Sequence, residues 1–218
     1  ASPESERAAA EMNAYFLARI NDIRRHPKNH LLGQLVAMET EDGMLDDEEL
    51  LSFCRLLLIA GNETTTGLIT ASARIFHEQP ETLTQLKQQP QLSGSFVEEA
   101  LRYYSPFSAT VRRTTREVEL AGQTIAEGEL VVPLIASANR DERVFDAPDT
   151  FNIHRSPNPH LALGFGIHVC LGAHLARLEG RIVAEQLAER YSEVALVYPD
   201  TTSVGDLGGP KELAIIVR

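Results

Sequence analysis

Along the first half of the chain, apolar residues recur at spacings of three and four, a period that predicts helices. Between positions 4 and 25, Ala8, Met12, Tyr15, Phe16, Ile20 and Ile23 fall on one face, and His26-Pro27 stops the run. A shorter helix is expected over about 30–39, then a turn at Glu41-Asp42-Gly43. Asp46 is a natural N-cap, with Asp47, Glu48 and Glu49 where the helix dipole favours negative charge. The helix it opens is expected to reach about His77, before Pro80. It is apolar nearly all round, which predicts a place in the middle of the fold. Two shorter helices are expected over 81–88 and 94–103. After Pro106 the pattern changes to short runs at 110–115, 117–120, 123–125 and 130–133, separated by Ala121-Gly122 and Glu127-Gly128. These predict strands and turns. The stretch 141–159 is rich in Asp and Pro and predicts an ordered loop. An amphipathic helix is expected over 171–190, and closing strands over 194–197 and 213–217. Helices followed by small β-sheets predict a mainly α fold of the α+β class.

Composition narrows the function classes. With 218 residues, 43% of them hydrophobic and 23% charged, the chain can bury a core and is neither disordered, collagen-like nor coiled-coil. A net charge of −11 speaks against general nucleic-acid binding, which depends on neutralising phosphates. There is no polybasic segment for an anionic lipid surface. The two cysteines, Cys54 and Cys170, are no disulfide framework, so a cytoplasmic setting is expected. Cys54 lies in an apolar helix and is expected in the core. The longest apolar stretch, 50–60, is broken by Ser52 and Arg55 and is far short of the roughly 20 residues that cross a bilayer, so no membrane anchor is expected.

The candidate chemistry sits in three places. In Leu163-Gly164-Phe165-Gly166-Ile167-His168-Val169-Cys170-Leu171-Gly172, three glycines surround one cysteine just before a helix. Glycine permits tight turns and close approach to a flat ligand. The helix N-terminus favours thiolate, the metal-binding form. A buried inert cysteine is the plain alternative, which the clustered glycines oppose. A zinc or copper site from His168, Cys170 and His174 would lack the fourth ligand that structural sites take. Second, Glu99-Ala100-Leu101-Arg102 sets opposite charges three apart on one helix face. Most such pairs are solvated and of little energetic value. Third, Ala60-Gly61-Asn62-Glu63-Thr64-Thr65-Thr66 places glycine and threonines inside the most apolar helix. These are poor helix formers, and a threonine hydroxyl can bond back to a carbonyl and bend the helix. A local rule broken in a core element marks either a ligand groove or a polar face meeting a loop.

On these residues the chain resembles the cytochrome P450 haem-thiolate monooxygenases. Asn158-Pro159-His160-Leu161 and the run from Cys170 to Arg177 are similar to the soluble bacterial members, served by separate electron carriers. The resemblance implies haem b (iron protoporphyrin IX) with Cys170 as its axial metal ligand. It implies propionate contacts from His168 and from Arg112, favoured over Arg113 by counting back from Glu117-Val118-Glu119. Ala60 and Gly61 would open a groove over the ring, and Leu163, Gly164, Phe165, Gly172 and Ala176 would line it. Leu163 stands where the family has Phe, so the sulfur lacks that aromatic neighbour. Glu63 would feed protons and Thr64 would steady dioxygen. Glu99 and Arg102 would be buried with Arg155, while Thr150 holds a second family position for arginine. Leu57, Phe107, Ser108 and Leu207 would face a small lipophilic substrate, and a ferredoxin- or flavodoxin-type donor would supply electrons. His154, His160 and His174 are expected as loop or helix-surface residues. Residues 1–218 would form the C-terminal, haem-binding portion of a single P450 domain. That portion would run from a helix before the long central one to the C-terminal strands, with the front of the fold outside the sequence. Two other classes stay open: a catalytically inactive haem-binding homologue or partner subunit, and a haem-free helical interaction module.

Overall fold

Reciprocal side-chain bonds at Asp46 start the longest helix. Its backbone N–H donates to Glu49 Oε2 and its Oδ1 accepts from the Glu49 N–H, both at 2.9 Å, a capping box that satisfies two donors at once. The computed structural model describes residues 2–40, 43–197 and 214–218. The first helix is α1 (Pro3–Arg25), capped by Ser2, whose side chain accepts from the Ser5 N–H. α2 (Leu31–Val36) follows, then a two-residue hairpin, β1 (Glu39–Thr40) with β2 (Gly43–Met44). The helix expected over about 30–39 is shorter: it ends at Val36, and Glu39 is already in the strand. Next come α3 (Asp47–Glu78), α4 (Pro80–Gln88) and α5 (Ser93–Tyr104).

Beyond α5 the sheets among the described residues are two-stranded and antiparallel. β3 (Arg112–Arg113) pairs with β6 (Leu130–Val131), and β4 (Val118–Leu120) with β5 (Gln123–Ile125). The runs expected over 110–115 and 130–133 shrink to these cores, with single backbone bonds from Thr110 to Pro133 and from Thr114 to Glu129 at the ends. A one-turn helix, α6 (Ile135–Ala138), lies where the pattern predicted nothing. α7 (Ala173–Arg190) begins two residues later than expected, and β7 (Val194–Val197) pairs with β8 (Ala214–Val217).

The chain divides into two compact units, Ala1–Glu63 and Thr64–Arg218. The first is held by Ile20, Ile23, Leu35, Val36, Leu50 and Leu51. In the second, Phe76 stacks on Phe96 with centroids 5.0 Å apart, and Phe151 meets Phe96 edge-on. Gly180 of α7 is dictated by packing: a Cβ there would lie 2.8 Å from Leu68 and 3.1 Å from Val97. Cys54 is buried in α3, and burial pushes its thiol pKa up. α3 is not buried along its whole length, however: Leu56, Leu58 and Ile59 are exposed. No helix among the described residues is long and apolar enough to cross a membrane.

Candidate functional site

The loop from Asn139 to Gly172 has almost no repeating backbone structure, so its shape depends on side-chain anchors. The main anchor is Glu99 on α5, fully buried with Arg102. Arg102 uses all five N–H donors. Nε and one terminal nitrogen bond both Glu99 oxygens at 2.8 Å, and the remaining hydrogens reach the carbonyls of Asn139, Pro148 and Thr150. Arg155 Nε lies 3.0 and 3.1 Å from the two Glu99 oxygens. The Asn152 N–H and Asn158 Nδ2 complete the carboxylate's shell. The structure thus brings Glu99, Arg102 and Arg155 into one cluster. Thr150 joins it through its carbonyl, which accepts from both arginines. Multidentate charge-assisted bonds of this kind hold a loop without a sheet or helix to support it.

Downstream, the cysteine loop turns on itself. Gly164 has φ +78°, and a Cβ there would stand 2.3 Å from the His168 carbonyl oxygen, so this glycine serves the turn itself. Gly166 follows at φ +60°, opening a 3₁₀ turn over Gly166–His168. The Cys170 N–H donates to the Leu163 carbonyl at 2.8 Å, closing the loop. Leu163 itself is half-buried against the core of its unit. Cys170 is exposed, so it is not the inert buried cysteine of the plain alternative. Gly172 caps α7, and its missing side chain leaves the Cys170 sulfur 3.9 Å from where a Cβ would be. Around the sulfur in sequence, Phe165 is 81%, Ile167 97% and Leu171 75% exposed, with Val169 and Leu175 exposed beside them. An exposed thiol on a glycine turn, flanked by bare apolar side chains, fits the thiolate ligand of a flat, apolar macrocycle. Among the described residues no three His, Cys, Asp or Glu side chains could hold a metal ion together, so His168, Cys170 and His174 do not assemble the zinc or copper site.

Other candidates are more dispersed. α3 runs unbroken through Ala60, Gly61, Glu63 and Thr64. Glu63 is exposed, Thr64 is half-buried, and nothing lies within 4 Å of a Cβ at Gly61. The Thr65 hydroxyl bonds Glu179 of α7 at 3.2 Å. Arg112 and Arg113 are both exposed. Arg113 is held by the Gly128 carbonyl, whereas Arg112 bonds Thr110 and Val111 beside it. His168 is exposed and Ala176 half-buried. Leu57 packs against the core of the first unit. Phe107 is exposed and Ser108 half-buried, while Leu207 lies outside the described residues.

Several buried polar contacts of this loop are not evident from the sequence. Asn139 is fully buried: its Nδ2 donates to Ser105 Oγ, and its Oδ1 accepts the Leu161 N–H at 2.7 Å. His160, expected as a loop or helix-surface residue, lies in the loop, and its side chain is only 3% exposed and pairs with Glu98, which Arg177 also binds. The burial comes from α5, whose Glu98 pairs with the ring. The strings Asn158-Pro159-His160 and Ala176-Arg177 contained the signal, but not the partner.

The cytochrome P450 family profile matches residues 5–197. The putative cytochrome P450 YjiB of Bacillus subtilis is 42% identical over 194 residues, covering 89% of this chain and 49% of the relative. The biotin biosynthesis cytochrome P450 of the same organism is 44% identical over 188 residues, or 86% of this chain and 47% of the relative. Among solved structures, CYP109Q5 from Chondromyces apiculatus superposes with a TM-score of 0.91 at 40% identity, over 97% of this chain and 55% of that one. P450BioI in complex with hexadec-9Z-enoic acid-ligated acyl carrier protein gives 0.87 at 40%, over 96% and 54%. The chain spans about half the length of these relatives. A profile match over most of its residues, together with this likeness in sequence and fold, shows that the chain belongs to the cytochrome P450 family.

Proposed function

We propose that residues 1–218 are the C-terminal, haem-binding portion of a single P450 domain, part of a monooxygenase that holds haem b on Cys170. The exposed Cys170, presented by a glycine turn that Leu163 closes, carries this reading. When bound, haem supplies the redox chemistry by which one atom of dioxygen enters an organic substrate and the other leaves as water, with two electrons and two protons consumed. The chain's own residues do the rest. Cys170 provides the sulfur, just ahead of the N-terminus of α7. Gly164, Phe165, Gly172 and Ala176 shape the seat, with Leu163 as an aliphatic neighbour of the sulfur. Arg112 and His168 bind the carboxylates of the ring. Glu99, Arg102 and Arg155 hold the loop in shape and take no part in the chemistry. On α3, Ala60 and Gly61 leave room beside the helix, the Thr64 hydroxyl donates a hydrogen bond to dioxygen, and the Glu63 carboxyl passes protons from solvent.

The substrate is lipophilic, taken up beside Phe107 and Ser108. A solved relative binds testosterone and another a hexadec-9Z-enoic acid-charged carrier protein, which supports this class. A ferredoxin- or flavodoxin-type protein supplies the electrons. Two cysteines and the lack of a membrane-crossing helix among the described residues support a cytoplasmic setting. The test is spectroscopic: the reduced carbon monoxide complex of the haem-loaded protein should show the strongly red-shifted Soret band of thiolate ligation, and Cys170→Ser should abolish it. A band that survives in Cys170→Ser overturns the reading.

A further inference from the structure

Glu98 and Glu99 are neighbours on α5, yet their carboxylates serve different parts of the loop. Glu99 anchors the stretch that ends at Asn158. Glu98 anchors the residues beyond it. Its Oε1 accepts from Arg177 Nε at 2.7 Å, its Oε2 from the other arm of the same guanidinium at 2.9 Å, and Oε2 lies 3.1 Å from His160 Nε2. His160 Nδ1 accepts the Ala162 N–H at 3.3 Å, which assigns the ring hydrogen to Nε2 and makes His160 the donor to Glu98. His160 precedes Cys170 and Arg177 follows it, so one carboxylate holds both flanks of the cysteine loop. The upstream path to the sulfur is short. From His160 the backbone passes Leu161, tied to Asn139, and reaches Leu163, whose carbonyl holds the Cys170 N–H. The downstream path is electrostatic. Arg177 stands on the second turn of α7, whose first residue lies three positions beyond Cys170, so its charge is carried on the helix that follows the sulfur. The Arg177 pKa is raised mainly by its bond to Glu98, against burial.

We propose that Glu98, His160 and Arg177 are positioning residues for Cys170, a clamp that fixes both flanks of its loop and sets the charge felt by its sulfur. This inference rests on the reading of Cys170 as the haem ligand. Mechanically, the clamp keeps the sulfur where a metal-bound thiolate must stand. Electrostatically, Glu98 neutralises a cation that would otherwise draw electron density from that thiolate. Partners behind a metal ligand tune it in this way in many sites.

The two charged members should act with opposite sign, whereas an ion pair too far from the sulfur to set its charge would leave the potential unchanged. In redox titrations of the haem-loaded protein, Glu98→Gln leaves Arg177 uncompensated and should shift the iron potential to more positive values. Arg177→Gln leaves Glu98 uncompensated and should shift it to more negative values. The double variant should return towards wild type. In the reduced carbon monoxide complex, Glu98→Gln and His160→Ala should convert from the thiolate band to the neutral-thiol band faster than wild type. If Glu98→Gln does not retain haem, Glu98→Asp is measured in its place. It keeps the charge on a shorter stem, and should speed the conversion with little change in potential. Wild-type conversion rates and potentials in every variant, or shifts of one sign in both charge variants, overturn the clamp. So does a lowered melting temperature with spectrum and potential unchanged. A Cys170→Ser protein that keeps the thiolate band overturns the haem-thiolate reading itself, and the clamp with it.

Discussion

Glu99 and Arg102 are both fully buried, yet neither leaves a charge unanswered. Arg102 has five acceptors for five hydrogens, and Glu99 receives Asn152, Arg155 and Asn158 besides. Removing one member of such a cluster strands the others without water. Glu99→Ala should therefore lower the unfolding free energy by about 3–5 kcal/mol, read from urea unfolding. Arg155→Ala should cost less, because Glu99 keeps Arg102 and both asparagines. The pair of changes together should be no worse than Glu99→Ala alone, since the partners act as one unit. A silent Glu99→Ala would mean that the cluster does not hold the loop. The Glu-x-x-Arg spacing was legible in the sequence, but its burial was not. The acceptors that make burial tolerable are three loop carbonyls, Asn139, Pro148 and Thr150, and a backbone carbonyl has no signature in a sequence.

At the scale of elements, α5 is the shared support of loop and helix. Its core face meets α7, where Gly180 lets the backbone approach Leu68 and Val97 closely. Its edge presents Glu98 to Arg177 of α7 and to His160 of the loop. Burial is the largest influence on Glu98 and raises its pKa, but the hydrogen bonds from His160 and Arg177 and the charge of Arg177 together outweigh it, holding the carboxyl at about 2. The sign follows from linkage. A carboxyl with a depressed folded-state pKa contributes stability above its unfolded pKa, near 4.5, and loses it as pH falls towards about 2. Wild type should be more stable than Glu98→Gln at neutral pH, and the gap should close between about pH 4.5 and 2. Denaturation midpoints across that range check this; a gap independent of pH would mean that the carboxylate charge contributes nothing to the contact between α5 and α7.

At the scale of the molecule, the described surface is unusually apolar in two regions. Leu56, Leu58 and Ile59 on α3 are exposed, and so are Phe165, Ile167, Val169, Leu171 and Leu175 around the cysteine loop. Soluble surfaces seldom leave large apolar side chains clustered in this way without a ligand or partner to cover them. A polypeptide of residues 1–218 expressed alone is therefore expected to self-associate and to bind haem weakly. Size exclusion with light scattering, before and after haem addition, measures both. A stable, haem-loaded monomer would show that these surfaces need no further cover.

Sequence by itself determined the helices with a clear period and a cap, the class of the fold, and the motif residues that carry the family resemblance. Those features are local: a capping box at Asp46, glycines 164 and 166 where the backbone turns left-handed, and a cysteine before a helix. Tertiary structure alone decided the lengths of the strands, the existence of α6, and which polar residues are buried. Asn139, His160 and Glu98 are ordinary surface residues by type, and only the packing of α5 against α7 and the loop removes His160 and Asn139 from water and supplies their partners. The middle of α3 shows the same limit from the other side. Its apolar pattern promised burial, but burial depends on what packs against a face, and a sequence pattern records the face without its cover.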